Sequence, residues 1–394
     1  MKERIVTRNF VCTFSAQLSI ALVMYTMMST VTEYAAAMGV SATVAGFVSG
    51  IYVFGGLFSR LFSGPVMKRF GWKNIAVIFG ILHFGASCFY MAADSAAMLL
   101  VIRFLHGLGF GASSNAIMII GMAGLPKSRY GEATGYFMLS TALGIALGPF
   151  FGGLIYDFFG GTGCFAASSI LSFLIVLFIL GVDTRNLDPW YANRNNPVSA
   201  ERKPFTLSSI FEIKAVPVSL CIFFLCFGYA ALMSFHRLYA QFLGMTGEFS
   251  CFFLIYALVL VFSRPFAGKL QDKFGDNAVC YPCITAQAVG IALLAWKPCM
   301  ATIVICAVCG ALGYGTLNAT MNVIVNRRVD NDRRPYAIST YWAFSDIGVG
   351  LAPAFLGFVA TEAGFYALYY VGALFSLAAL PVYWYFHGRK QTKG

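Results

Sequence analysis

Twelve long stretches of the chain carry almost no charge, and short polar segments separate them. The apolar runs fall at 9–32, 42–63, 74–93, 96–122, 133–156, 161–182, 216–240, 249–267, 278–296, 299–325, 337–361 and 365–387. A helix needs about 20 mostly apolar residues to cross a bilayer core, whereas a membrane strand needs only about 10 in strict alternation. These runs are continuous, so the pattern predicts twelve membrane-spanning helices and argues against a barrel. Composition agrees. Only 11% of the 394 residues are charged, against about 25% in soluble domains, and mean hydropathy is +0.75. Too few polar residues exist to cover a water-facing exterior, which excludes a soluble fold.

Basic residues accumulate on the cytoplasmic side of membrane proteins. With the N-terminus inside, twenty-two of the 27 Lys and Arg fall in one compartment and only Lys297 in the opposite loops. Both termini are therefore expected in the cytoplasm of a cell that carries this chain in its cytoplasmic membrane. The net charge of +11 is accounted for by topology, not by nucleic-acid binding. The basic start followed by Ala35-Ala36-Ala37 imitates a signal peptide, but its 24-residue apolar run exceeds the roughly 7–15 of a signal core. The cysteines lie in apolar spans with no zinc spacing, so no metal or organic cofactor is expected.

A single internal repeat organises the chain at an offset of 204 residues. Ser59-Arg60-Leu61-Phe62-Ser63-Gly64 aligns with Ser263-Arg264-Pro265-Phe266-Ala267-Gly268, and Gly71 aligns with Gly275. Gly109, Gly111, Gly144, Pro149 and Gly153 fall on Gly313, Gly315, Gly348, Pro353 and Gly357, while Gly39 and Gly244 slip by one. Each copy holds six spans. The expected organisation is an N-terminal half (1–182), a polar cytoplasmic linker (183–215) with a short interfacial helix near 207–214, and a C-terminal half (216–394). Parallel six-helix repeats place a substrate path between them.

Three motifs resemble the major facilitator superfamily over essentially the whole chain. Gly64, Arg69, Gly71 and Lys73 match the superfamily's loop after the second span, with Lys68 where the family has an acid; Gly268, Asp272, Lys273 and Gly275 repeat it and keep the acid. In the fourth span, Arg103 to Gly107 is similar to an R-x-x-x-G element whose arginine the family associates with proton coupling. In the fifth, Gly135, Gly144, Gly148, Pro149 and Gly152 fit G-x8-G-x3-G-P-x2-G, the antiporter motif of proton-coupled drug exporters. Small residues let helices approach closely, and the proline offers a place to bend. The resemblance implies an all-α membrane protein of two pseudo-symmetric six-helix bundles.

Ionisable residues inside a membrane are functional candidates by default. Asp346 lies ten residues past Tyr336, about 15 Å deep, and is the leading proton carrier, with Arg103 beside it in that role; a structural acid or a contact for a cationic substrate are the other readings. His106 is a weaker candidate. Glu33 and Arg237 coincide at the repeat offset and are expected either to form an outer gate or to snorkel separately. Arg60 and Arg264 read as anchors near the inner face, with an inner gate, from their symmetric placement, as the other reading. Tyr25, Phe227, Tyr229, Tyr341 and Trp342 lie on spans that line the cavity in the family, where rings stack on planar or cationic ligands.

The expected activity is secondary active export of amphipathic organic compounds in exchange for protons, by a functional monomer powered by the proton gradient. Proton-coupled uptake, metabolite or siderophore-type export, and a transport-fold sensor remain open. Enzymatic activity is not expected: four histidines form no H-E-x-x-H, and no G-x-x-x-x-G-K-[ST] loop is present.

Overall fold

The computed structural model describes residues 4–126, 129–193, 212–330 and 333–389, and these are helical without a strand. The elements are α1 (Arg8–Ala37), α2 (Ala42–Phe70), α3 (Trp72–Phe89), α4 (Ala96–Ala123), α5 (Tyr130–Leu180), α6 (Pro189–Asn193), α7 (Val216–Ser234), α8 (His236–Leu243), α9 (Thr246–Phe249), α10 (Phe252–Phe274), α11 (Asn277–Trp296), α12 (Met300–Gly310), α13 (Leu317–Arg327) and α14 (Arg334–Tyr383). Ten helices among the described residues are long and apolar enough to cross a membrane. Two of them, built on α5 and α14, are too long for one crossing, and each breaks at a glycine: Gly160 (φ 64°, ψ −166°) and Gly364 (φ 85°, ψ 172°). Dividing each there restores the twelve spans of the sequence pattern.

All the positive-φ residues among those described are glycines, and they pair through the repeat: Gly71 with Gly275, Gly160 with Gly364, and Gly39 with Gly244 at one residue's slip. Side chains on L-residues disfavour this region, so the two copies share the same turning points. The fifth span keeps helical backbone angles through Pro149 and reverses only at Gly160. That reversal needs the left-handed angle that glycine alone takes freely. The seventh span stops at Phe235, whose ψ of 0° separates α7 from α8.

The chain forms two compact units. One contains Met1–Thr30 and Ile51–Lys203, the other Val31–Gly50 and Pro204–Gly394. In the first, α3 packs along α4 and α5; in the second, α7 lies against α14, which also holds α11. The linker is tied to the first unit at its start, where the Asn9 side-chain amide donates to the Asp183 carbonyl at 2.7 Å and accepts its N–H at 2.9 Å. Most of the expected interfacial helix lies outside the described residues; Ile213–Ala215 form one tight turn capped by Glu212.

Candidate functional site

Within the second unit, the end of α1 and the start of α2 are clasped by α7, α8 and the first arm of α14. Glu33 and Arg237 form a largely buried ion pair, and the Gln241 amide donates to the other oxygen of the same carboxylate. Below it, Ser49 and Ser234 share a hydrogen bond of 3.1 Å, and the hydroxyls of Thr43 and Thr361 stand 3.0 Å apart. Gly46 and Gly50 lie directly on the carbonyls of Pro353 and Gly350, while Gly357 sits on that of Ala42. A methyl group at any of these glycines would overlap a backbone oxygen. The two residues singled out from the repeat are therefore brought together; Gln241, which also donates to the carboxylate, carried no sequence signal of its own.

Deeper in the same unit, Tyr229 stacks on Tyr314 with ring centroids 4.0 Å apart. The Tyr314 hydroxyl lies 3.2 Å from Ser345 Oγ, and the Cys226 thiol donates to the Ser345 carbonyl. Asp346 is half-buried and within electrostatic reach of Cys226. Tyr314 sits in a π-helical turn, Ala311–Thr316, that joins α12 to α13, where Gly313 lies against Gln287. The Gln287 amide donates to the Leu225 carbonyl at 2.9 Å and to Ser376 at 3.1 Å. Single π-turns inside α-helices concentrate at functional sites. In the first unit the repeat-related Gly109 and Gly111 remain in regular helix α4, so the turn is specific to the second copy and escapes periodicity.

The other aromatic candidates are placed differently. Phe227 stacks on Phe375 at 4.1 Å and packs edge-on to Phe223 and Phe355. Tyr341 is buried and donates to the Asn318 carbonyl at 2.9 Å, with Trp342 edge-on to it and partly exposed.

In the first unit, Arg103 is 1% exposed. Its guanidinium lies 4.5 Å from the centre of the Tyr52 ring and hydrogen-bonds the Tyr90 side chain. Tyr52 and Tyr90 in turn hold His83 Nε2 (3.3 Å) and His106 Nδ1 (3.0 Å), and the two imidazoles stand 4.0 Å apart. Ring faces and hydroxyl dipoles thus surround a buried cation, which lowers the cost of its desolvation. The sequence reading found Arg103 and His106 and missed His83, although an ionisable residue in the middle of a span was itself the signal. Arg60 lies 5.9 Å from the Phe110 ring, and the side chain of Arg264 lies outside the described residues.

Along α5, Gly144, Gly148 and Gly152 pack closely on Ala21, Tyr25 and Thr26 of α1; a Cβ would clash at Gly144 and Gly148 and fit tightly at Gly152. The Thr26 hydroxyl donates to the Gly148 carbonyl at 2.9 Å beside Pro149. Gly135 has open space around it, so close packing explains three of the motif's four glycines. In the loop motifs, Gly71 and Gly275 turn the chain, whereas Gly64 and Gly268 are uncrowded. Lys68 is exposed, and an acid arrives from elsewhere: Asp188 accepts the Trp72 N–H at 2.6 Å and the Trp190 N–H at 3.0 Å. The Trp190 indole donates to the Arg69 carbonyl, and Lys73 to the Leu180 carbonyl at 3.0 Å. In the second copy Asp272 pairs with Arg327 at 2.9 Å, both exposed, and Lys273 lies over Phe274 at 5.1 Å.

This architecture is that of a known class of membrane transporter. The chain belongs to the major facilitator superfamily, whose sequence model matches residues 10–298 and again 252–394. It is 23% identical over 359 residues to the uncharacterized MFS-type transporter MJ1560 of Methanocaldococcus jannaschii, covering 87% of this chain and 89% of that one. It is 24% identical over 370 residues to the uncharacterized MFS-type transporter YhhS of Escherichia coli K12, covering 88% and 84%. Among solved structures, the fold is similar to the nucleoside transporter NupG (TM-score 0.72, 14% identity, 97% of this chain and 99% of that one). It is also similar to an inward open conformation of the xylose transporter XylE from E. coli (0.71, 16%, 95% and 96%). The protein is thus a multi-pass membrane transporter of unspecified substrate.

Proposed function

We propose that this transporter exports amphipathic organic compounds, cationic ones foremost, in exchange for protons by alternating access, as a monomer in the cytoplasmic membrane with both termini inside. The observation that carries the reading is Asp346, half-buried about 15 Å along its span next to Ser345, which holds Tyr314 in its stack with Tyr229. One carboxylate in low dielectric is neutralised either by a proton or by a substrate cation, and not by both at once. That exclusivity is the requirement of antiport, and the stacked tyrosines offer an apolar face to the same ligand. Tight packing of Gly144, Gly148 and Gly152 on α1 supports the antiporter motif. The Glu33–Arg237 pair serves as the outer gate, and Arg103 assists proton coupling.

The test is efflux of a fluorescent cationic dye from cells expressing wild type or Asp346→Asn, with and without a protonophore. Protonophore-sensitive efflux that disappears in the variant, with the protein still in the membrane, supports the proposal. Retained efflux removes Asp346 as obligatory carrier. Absence of efflux, with uptake of a nucleoside or sugar such as NupG and XylE are named for, would replace export by uptake; substrate binding without counterflow in proteoliposomes would make it a sensor.

A further inference from the structure

Gln287 is wholly buried in the middle of α11, and the two ends of its amide face different neighbours. The nitrogen is tied on one side: it donates to the Leu225 carbonyl of α7 at 2.9 Å and to Ser376 Oγ, in the second arm of α14, at 3.1 Å. The Leu225 carbonyl can only accept, and Ser376 gives its own proton to the Gly372 carbonyl at 2.9 Å. The nitrogen must therefore point this way and Oε1 the other. Oε1 has no protein donor and lies against Gly313, where a methyl group would come within 2.6 Å of it. Gly228 leaves room for this clamp, because a methyl group there would overlap both Ser376 Oγ and Gln287 Nε2.

The first copy supplies the comparison. At the repeat offset Gln287 falls on His83, Gly313 on Gly109, Ser376 on Ser172, Gly228 on Met24 and Leu225 on Ala21. His83 is engaged by Tyr52 through Nε2, while its Nδ1 and the Ser172 hydroxyl have no protein partner, so the clamp is absent. Gly109 lies on the His83 backbone, with a methyl group there 2.6 Å from N and 2.7 Å from Cα, and α4 runs on as regular helix. In the second copy an amide side chain fills that gap, and the backbone opposite leaves helical geometry, with ψ −111° at Gly313. We propose that Gln287, clamped from behind and unable to withdraw, holds Ala311–Thr316 in its π-turn and so sets how Tyr314 meets Tyr229. Hydrogen bonds of this kind fix one helix on another inside membranes. Gln287 is a positioning residue acting through Tyr314, and its bearing on transport rests on the reading of the Tyr229–Tyr314 stack as the face offered to the substrate.

3-Fluorotyrosine placed at position 314 alone, in the purified full chain, gives one fluorine resonance that reports the stack, and Tyr229→Ala marks its unstacked position. Gln287→Leu nearly keeps the volume and removes the amide; it is expected to move the resonance toward the unstacked position. Ser376→Ala removes one of the two acceptors behind the amide and is expected to move it less; it covers the case in which Gln287→Leu does not fold. An unmoved resonance in the folded variants overturns the proposal, with no substrate needed. In efflux of the cationic dye, Gln287→Leu is expected to raise the half-saturating concentration several-fold with the maximal rate close to wild type, a split that loss of folded protein does not produce. A moved resonance with unchanged half-saturation supports the hold on the turn and overturns the tyrosine pair as the substrate's face.

Discussion

Glu33 and Arg237 occupy equivalent positions of the two repeats and meet as a buried ion pair, with Gln241 donating to the same carboxylate. Removing one partner of such a pair leaves an uncompensated charge at a cost of about 3–5 kcal/mol. The seam they close also contains Thr43 and Thr361, whose hydroxyls are 3.0 Å apart. Cysteines at these two positions are expected to form a disulfide that arrests transport until it is reduced. Adding Glu33→Gln is expected to slow the cross-link markedly, as followed by gel shift. An unchanged cross-linking rate would mean that the ion pair does not hold the seam.

Glycines of similar appearance in the sequence have opposite roles. Gly50 lies on the Gly350 carbonyl, whereas Gly64, a motif residue in the same helix, has open space around it. Gly50→Val is expected to cost about 1–3 kcal/mol by overpacking and to abolish the Thr43/Thr361 cross-link. Gly64→Ala is expected to raise stability by about 0.5 kcal/mol, because a helix interior favours alanine. Thermal unfolding in detergent distinguishes the two.

Asp188 caps α3 from a distant part of the chain, through Trp72 N–H at 2.6 Å. Replacing a capping aspartate by alanine costs about 0.5–2 kcal/mol. Asp188→Ala is expected to lower the unfolding temperature by a few degrees, while Lys68→Asp, which restores the family's acid at an exposed position, does not rescue it.

Glu212 accepts a hydrogen bond from Arg333 at 2.7 Å, and this contact, ahead of its bond from the Lys214 N–H, holds the carboxyl below the usual carboxylate range. Because the folded value lies below the unfolded one of about 4.3, the stabilisation is complete above that pH and fades as pH falls through the folded value. The difference in unfolding temperature between wild type and Glu212→Gln is therefore expected to be largest near neutrality and to close as pH falls through the folded value. A gap that widened on acidification would refute the assignment.

Much of this was legible in the chain. The spans are visible because lipid leaves no other use for apolar runs of that length, and Glu33 and Arg237 announced each other through the repeat. What stayed hidden has common causes. Asp188 reaches Trp72 across 116 residues, a separation that no local pattern encodes. The π-turn around Tyr314 lies inside a uniformly apolar run. Phe227 carried the same ring chemistry as Tyr229, but its neighbours are other rings.

The placement of residues 31–50 bears on how the molecule is assembled. A C-terminal fragment beginning at Pro204 would lack the stretch that supplies Ala42, Gly46 and Gly50, so the facing backbone at Gly350, Pro353 and Gly357 would lie bare. During synthesis, that stretch is made long before its partners in α14 exist. The second unit can thus be finished only by a segment translated near the beginning of the chain, which makes its completion one of the last events of folding.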